Sequence, residues 1–151
     1  MERKIITTHN FETFISENFK PFETAISECS EAAYQAAFSC DSARKLKNIV
    51  YLYKVSKKIP RLIGESDILY IGQTSTSFQA RYARFASKIS ALQRNKKVHQ
   101  HYGEIYISAC AFEVLDSTLI SAENRLLWHY YCNHAEYPPF NYTKAFRPAL
   151  D

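Results

Sequence analysis

Asp67-Ile-Leu-Tyr-Ile-Gly-Gln-Thr74, read together with Asn48-Ile-Val-Tyr-Leu-Tyr-Lys-Val55 upstream, decides the fold of this chain. Both runs are rich in β-branched and aromatic residues and alternate along their length, which predicts two strands. In the first, Ile49, Tyr51, Tyr53 and Val55 share one face and Val50 and Leu52 the other. In the second, Ile68, Tyr70 and Gly72 share a face by the period of two. An antiparallel hairpin is the simplest pairing. Lys57-Lys58-Ile-Pro-Arg61-Leu-Ile-Gly64 then reads as its basic loop, broken by Pro60 and Gly64. Tyr51, Tyr70 and Gly72 on paired strands make a flat, polar, uncrowded surface that a phosphodiester can approach.

Upstream, residues 1–46 read as helical. Phe11, Phe14 and Ile15 give one face, with Thr8 or Asn10 as the cap. Pro21 is placed to open a second helix, along which Phe22, Ile26, Cys29, Ala33 and Ala37 continue one apolar face. Downstream of the hairpin, Ser77 precedes a helical period through Phe78, Arg81 or Tyr82, Phe85, Ile89 and Leu92. A shorter helical piece through Val98 and Tyr102 ends at Gly103. Residues 104–115 return to strand character. Asp116 or Ser117 caps a last helix containing Leu119, Ile120, Glu123, Leu126 and Leu127, and Pro138-Pro139 ends regular structure. The expected order is α-α, then β-β-α-α-β-α.

The chain has 151 residues, 46% hydrophobic and 23% charged, which fits one globular domain and excludes a disordered chain. Its net charge is +4, with a pI near 8.8. The charge is segregated. From Ile68 to Gly103 there is no Asp or Glu, while Arg81, Arg84, Lys88, Arg94, Lys96 and Lys97 fall in that stretch. That is the footprint of a polyanion-binding surface or of a solvated helix face. Cys29, Cys40, Cys110 and Cys132 form no CxxC pair, and no apolar run approaches the roughly 18 residues of a membrane span. These features lead to the expectation of a reduced, intracellular protein: cytoplasmic with access to the nucleoid, or nuclear in a eukaryote, and with no membrane partner. His129, Cys132 and His134 lie close in sequence, but one helix aligns only part of that set and no fourth ligand is evident.

Phosphodiester cleavage needs a group that activates water, a cation for the developing charge, a phosphate-positioning group and a proton for the leaving oxygen. Arg81 sits in the first turns after the second strand. Glu123 lies in an otherwise apolar helix, where a carboxylate is costly unless paired or metal-bound; the alternative is an exposed residue pairing with neighbouring charges.

These residues give the chain a resemblance to the GIY-YIG nuclease family, over about residues 48–143. Ile49-Val50-Tyr51 and Tyr70-Ile71-Gly72 stand for the two naming motifs, and Phe78-Gln-Ala-Arg81 for the arginine motif that follows. His99-Gln-His-Tyr-Gly103 and Phe112-Glu-Val-Leu115 resemble the family's short second helix and third strand. Glu123 matches its helix-borne glutamate and Pro138-Pro139-Phe140-Asn141 its closing motif. The resemblance implies an α+β fold: a three-stranded antiparallel sheet flanked by helices over residues 47–151, with residues 1–46 as a helical N-terminal extension packed on that core. It implies a small, stand-alone DNA endonuclease of phage or restriction type, with Mg2+ or Mn2+ held by Glu123. Tyr51 would be the general base or orient water, and Tyr70 would position water or phosphate. Arg81 would bind the scissile phosphate through its planar donor fork, and Asn141 would fix the site or the phosphate. A tyrosine titrates near 10, so a base role for Tyr51 needs a nearby cation. Double-stranded DNA is the expected partner, contacted by Lys57, Lys58, Arg61, Gly72, Arg84, Lys88, Arg94, Lys96 and Lys97 in a largely sequence-independent way. One site cuts one strand, so double-strand cleavage calls for a homo-oligomer or two binding events.

Three departures from the family pattern stand out. Ile49 replaces the first glycine, and the turn from Gly72 to Arg81 is one residue longer. Phe85 occupies a position that often holds a histidine or tyrosine, and it cannot relay a proton. Tyr82, Lys88, His99 and His101 are the candidates to take its place. A catalytically weak or inactive nucleic-acid or protein-binding module on the same fold is the alternative that Phe85 motivates.

Overall fold

The computed structural model describes residues 2–141; the closing stretch of the expected nuclease-like domain, 142–151, lies outside the described residues. In chain order the elements are α1 (Phe11–Asn18), β1 (Lys20–Pro21), α2 (Glu31–Phe38), α3 (Asp41–Lys45), β2 (Ile49–Pro60), β3 (Glu65–Thr74), α4 (Phe78–Tyr82), α5 (Ala86–Ala91), α6 (Gln93–Tyr102), β4 (Ile105–Ala111) and α7 (Leu119–His134). Short 3-10 turns fill Ala83–Phe85, Phe112–Val114 and Pro139–Asn141.

The fold is α+β, and its antiparallel sheet has four strands in the order β1-β4-β2-β3, not three. The extra strand comes from the N-terminal segment. Lys20 and Pro21 pair with Ala109 and Ser108. The Phe22 amide then donates to the Ile107 carbonyl at 2.7 Å, and Ile26 bridges to Ile105. Pro21 therefore opens no helix. Proline lacks a ladder donor and fits an edge strand, and the second helix starts ten residues later, where the Ser30 hydroxyl accepts from the Ala33 amide. The apolar face drawn through Phe22, Ile26, Cys29 and Ala33 is thus split between an extended segment and α2.

The expected third strand is also shorter. β4 ends at Ala111 because its partner β2 begins at Ile49, the residue paired with Ala111. The left-handed Asn48 (φ 55°) turns β2 away there, so Phe112–Val114 coil into a 3-10 turn. The last helix is capped by Thr118 rather than Asp116 or Ser117, its hydroxyl accepting from the Ser121 amide at 3.1 Å. Asp116 instead takes two hydrogen bonds from Arg125.

The sheet buries both faces. On one, Tyr51, Val55 and Ile107 meet Phe22, Ile26, Tyr34, Phe38 and Phe78, which brings α2 and α4 onto the strands. On the other, Val50, Leu52, Ile68 and Ile71 meet Phe11, Phe14 and Ile15 of α1 and Leu126, Leu127 and Tyr130 of α7. The N-terminal segment thus supplies core to both faces. Ile68 does not share a face with Tyr70 and Gly72. Tyr53 pairs with Tyr70 but Lys54 pairs with Ile68, so Leu69 is an extra residue, and this bulge reverses the alternation.

A second irregularity between Lys54 and Ile59 puts Lys57 and Lys58 on an exposed bulged stretch of β2, not on a loop. The turn proper is Arg61–Gly64, closed by the Arg61 amide on the Gly64 carbonyl, with Gly64 left-handed. No helix among the described residues is long and apolar enough to cross a membrane.

Candidate active site

The site forms on the aromatic face, where β2, β3 and α4 meet. Tyr51 pairs across the strands with Gly72, and its ring lies over that glycine. A Cβ built on Gly72 would stand 2.7 Å from the Tyr51 Cζ and Oη and from the Tyr70 Cε2, so only glycine admits both rings. Gly72 therefore works here by what it lacks and brings no side chain to a phosphate.

α4 is started by the Ser77 hydroxyl, which accepts from the Ala80 amide at 3.1 Å. One turn on, Phe78 and Tyr82 pack with their rings tilted by 40° and 4.7 Å between centroids, the i,i+4 neighbours of a helix face. Phe78 also meets the Tyr51 ring edge-on at 5.1 Å. This locks Tyr82 over Tyr51, and the two hydroxyls are hydrogen-bonded. The Arg81 Nε–H donates to the Tyr82 hydroxyl at 3.2 Å, with the guanidinium 5.5 Å above the Tyr82 ring. The resulting chain runs from exposed Arg81 through half-buried Tyr82 to Tyr51, which is 0% exposed.

Of the four candidates to replace Phe85, Tyr82 is the one hydrogen-bonded to Tyr51. Phe85 carries the Arg84 guanidinium over its ring at 4.8 Å. His99 is engaged by the Tyr34 hydroxyl at 2.9 Å, and His101 and Lys88 are exposed on α6 and α5. The signal for Tyr82 was its spacing from Phe78 and its place beside Arg81.

Tyr51 does not face the solvent. Burial, then the phenols of Tyr82, Tyr53 and Tyr70, push its pKa well above the ordinary 10. Tyr70, half-buried, is pushed up to about 12 by burial, by Tyr82 and by the nearby Glu123 carboxylate, with Arg81 and a hydrogen bond from Tyr51 opposing. These tyrosines are neutral hydrogen-bonding groups at neutral pH. A phenol whose pKa is raised by folding contributes stability that is present below the unfolded value, near 10, and lost as pH rises through the folded one. Stability should therefore fall steeply above pH 10, with the share of tyrosinate absorbance that Tyr51→Phe removes appearing only together with loss of structure; that share appearing in a still-folded protein would contradict this.

Glu123 is 8% exposed on α7, beside Ala122, Leu126 and Leu127 of the opposite core. α7 runs along edge strand β3 and brings the carboxylate near Tyr70. Its burial removes the reading as an exposed surface charge. Asn141 is 3% exposed, and its amide clamps one residue of that same edge: Oδ1 accepts from the Ile71 N–H at 3.0 Å and Nδ2 donates to the Ile71 carbonyl at 2.9 Å. Ile71 lies between Tyr70 and Gly72, so Asn141, buried and held by this pair of bonds, is placed to position the site. Asn141→Ala leaves both backbone groups without a protein partner and should cost about 2–4 kcal/mol in urea denaturation; a loss under ~0.5 kcal/mol would show that water replaces the clamp.

The basic residues divide. Arg84, Lys88, Arg94, Lys96 and Lys97 are exposed on the segments that follow Arg81. Lys57 and Lys58 lie about 20 Å along β2 from Tyr51. Arg61 is withdrawn from the expected DNA surface: its side chain is 11% exposed, ion-paired to Glu136 at 3.0 Å and bonded to the Tyr137 carbonyl at 2.7 Å. It staples the hairpin turn to the end of α7. His129 and His134 each engage Nδ1, with the Thr8 hydroxyl and the Ile63 carbonyl, and no group of three or more His, Cys, Asp or Glu capable of holding a metal is found among the described residues. Compared with protein-family models, curated proteins and solved structures, the chain matches none.

Proposed function

We propose that this protein is a metal-dependent DNA endonuclease of the GIY-YIG type. The observation that carries the reading is the hydrogen-bonded chain Arg81–Tyr82–Tyr51, set beside Tyr70 and Glu123 at the head of an acid-free basic stretch. Arg81 spends Nε on Tyr82, and the outer edge of its planar guanidinium suits two oxygens of one phosphate. The Tyr70 and Tyr82 hydroxyls donate to phosphate oxygens or orient water, while buried Tyr51 holds Tyr82 in place. Hydrolysis joins the water oxygen to phosphorus and breaks the bond to the leaving oxygen, which takes up a proton as water loses one.

One buried carboxylate fits Mg2+ or Mn2+, because such ions are commonly held by one or two carboxylates with water and substrate phosphate completing the shell. A bound ion there supplies charge stabilisation and a more acidic water. Glu123 would hold it, and the cation is what a base role for any of these phenols requires. The second reading, a nucleic-acid-binding module that does not cut, is favoured by the full burial and neutrality of Tyr51.

Supercoiled plasmid incubated with the protein and Mg2+ or Mn2+ separates the two. Nicking that chelator stops and that Glu123→Gln abolishes supports the enzyme. Metal-independent binding without nicking, across several DNA structures, would favour the second reading and sink the first.

A further inference from the structure

Beside the tyrosines lies a pocket of about 250 Å3 walled by Tyr53, Tyr70, Tyr82, Ile89, Arg94 and Phe140, with Asn95 at its side. It is smaller than the usual drug-sized cavity and suits one flat ring system. Its walls suit a ring as well. The Arg94 guanidinium lies 4.3 Å above the Phe140 ring, giving a cation-backed platform, and three phenols and an isoleucine complete the lining. Asn95 is 3% exposed and is held by its Nδ2–H donating to the Ile89 carbonyl at 2.7 Å, which leaves Oδ1 and the second Nδ2–H as polar groups beside the pocket. The pocket shares Tyr70 and Tyr82 with the cleavage site, and Tyr82 is itself bonded to Tyr51 and Arg81. A phosphate on Arg81 therefore has its own nucleotide within reach of the pocket.

We propose that this pocket receives one nucleobase adjoining the cut phosphate, so that DNA with an unpaired nucleotide at that position is the preferred substrate class. A paired base cannot enter without leaving its stack. That energetic cost is least where the base is already unpaired, and this difference becomes selectivity. Stacking on aromatic walls tolerates every base, so the preference is for structure, not sequence. The inference rests on the nuclease reading for what happens next, but binding tests it separately.

The test uses the full chain with a short duplex carrying one bulged 2-aminopurine, and the same duplex fully paired. The bulged DNA should bind about tenfold tighter or more, with 2-aminopurine fluorescence quenched. Arg94→Lys keeps the charge but loses the planar platform, and Ile89→Trp fills the pocket from its wall. Each should bring the bulged-to-paired ratio down to about one, judged against that variant's own affinity for the paired duplex, and each should remove the quenching. Equal affinity of the two DNAs, or quenching that survives both variants, overturns the proposal. Plasmid nicking on the same preparations keeps the readings apart. Nicking with no bulge preference overturns the pocket alone. Bulge preference without nicking supports the pocket and overturns the hydrolase, and absence of both overturns both.

Discussion

Gly72→Ala is expected to lower nicking by at least about 100-fold and to reduce the melting temperature by roughly 5–10 °C. The cause is a new methyl 2.7 Å from two aromatic rings. Tyr70 is half-buried and its ring can swing outward. Tyr51 is 0% exposed, with the rings of Phe78, Tyr82, Tyr53 and Tyr70 centred 5.1–6.2 Å away, and has nowhere to go. Overpacking of this kind costs about 1–3 kcal/mol, and shifting the Tyr51 hydroxyl off Tyr82 adds to it. Displacement by about 1 Å is enough to cost two orders of magnitude in rate. Thermal unfolding and nicking are measured on the same variant. Adding Tyr51→Leu shortens the trapped side chain and should restore much of the melting temperature but none of the rate. A single variant that melts and cuts like the parent would show that the Tyr51–Gly72 contact does not hold the site.

The site residues were legible to unequal degrees, and the physical reason differs from one to the next. Arg81, Glu123 and Asn141 are picked out by an ordered motif, and the fold brings Arg81 and Glu123 near Tyr70 of β3. Their ranks within the site were not legible. Burial separates Tyr51, sealed under its neighbours, from Tyr70 and Tyr82, which face outward, and burial depends on helices far away in sequence. Asn141 is bonded to Ile71 because β3 is an edge strand, and no local pattern shows which strand is the edge. Arg61 looked like a loop cation, yet its partners lie 75 residues and more downstream. The Leu69 bulge was invisible for a similar reason: an extra residue keeps the β-type composition while reversing the faces. At Pro21, residue type alone allowed either a helix start or an edge strand, and pairing with β4 decided between them.

Arg81→Ala should reduce nicking by about a thousandfold, the upper range for removing one preorganised donor to developing charge. Tyr82→Phe should reduce it by about ten- to a hundredfold, and the double variant should be little worse than Arg81→Ala alone. That shortfall follows from the hydrogen bond between the two. With Arg81 gone, the Tyr82 hydroxyl no longer has the Nε–H that fixes its outward lone pair. With the Tyr82 hydroxyl gone, Arg81 keeps its charge and the ring beneath it but loses the acceptor that orients its Nε–H. Each residue thus carries part of the other's effect, and coupling of neighbours in one network reaches about 0.5–3 kcal/mol. Arg81→Lys is the sharper variant, because it preserves charge and removes only the planar fork. It should recover binding to plasmid without recovering most of the cleavage rate. If Arg81→Lys cuts like the parent, Arg81 serves as charge alone. If the two single losses multiply in the double variant, Tyr82 acts independently of Arg81 and the chain of hydroxyls carries no part of the mechanism.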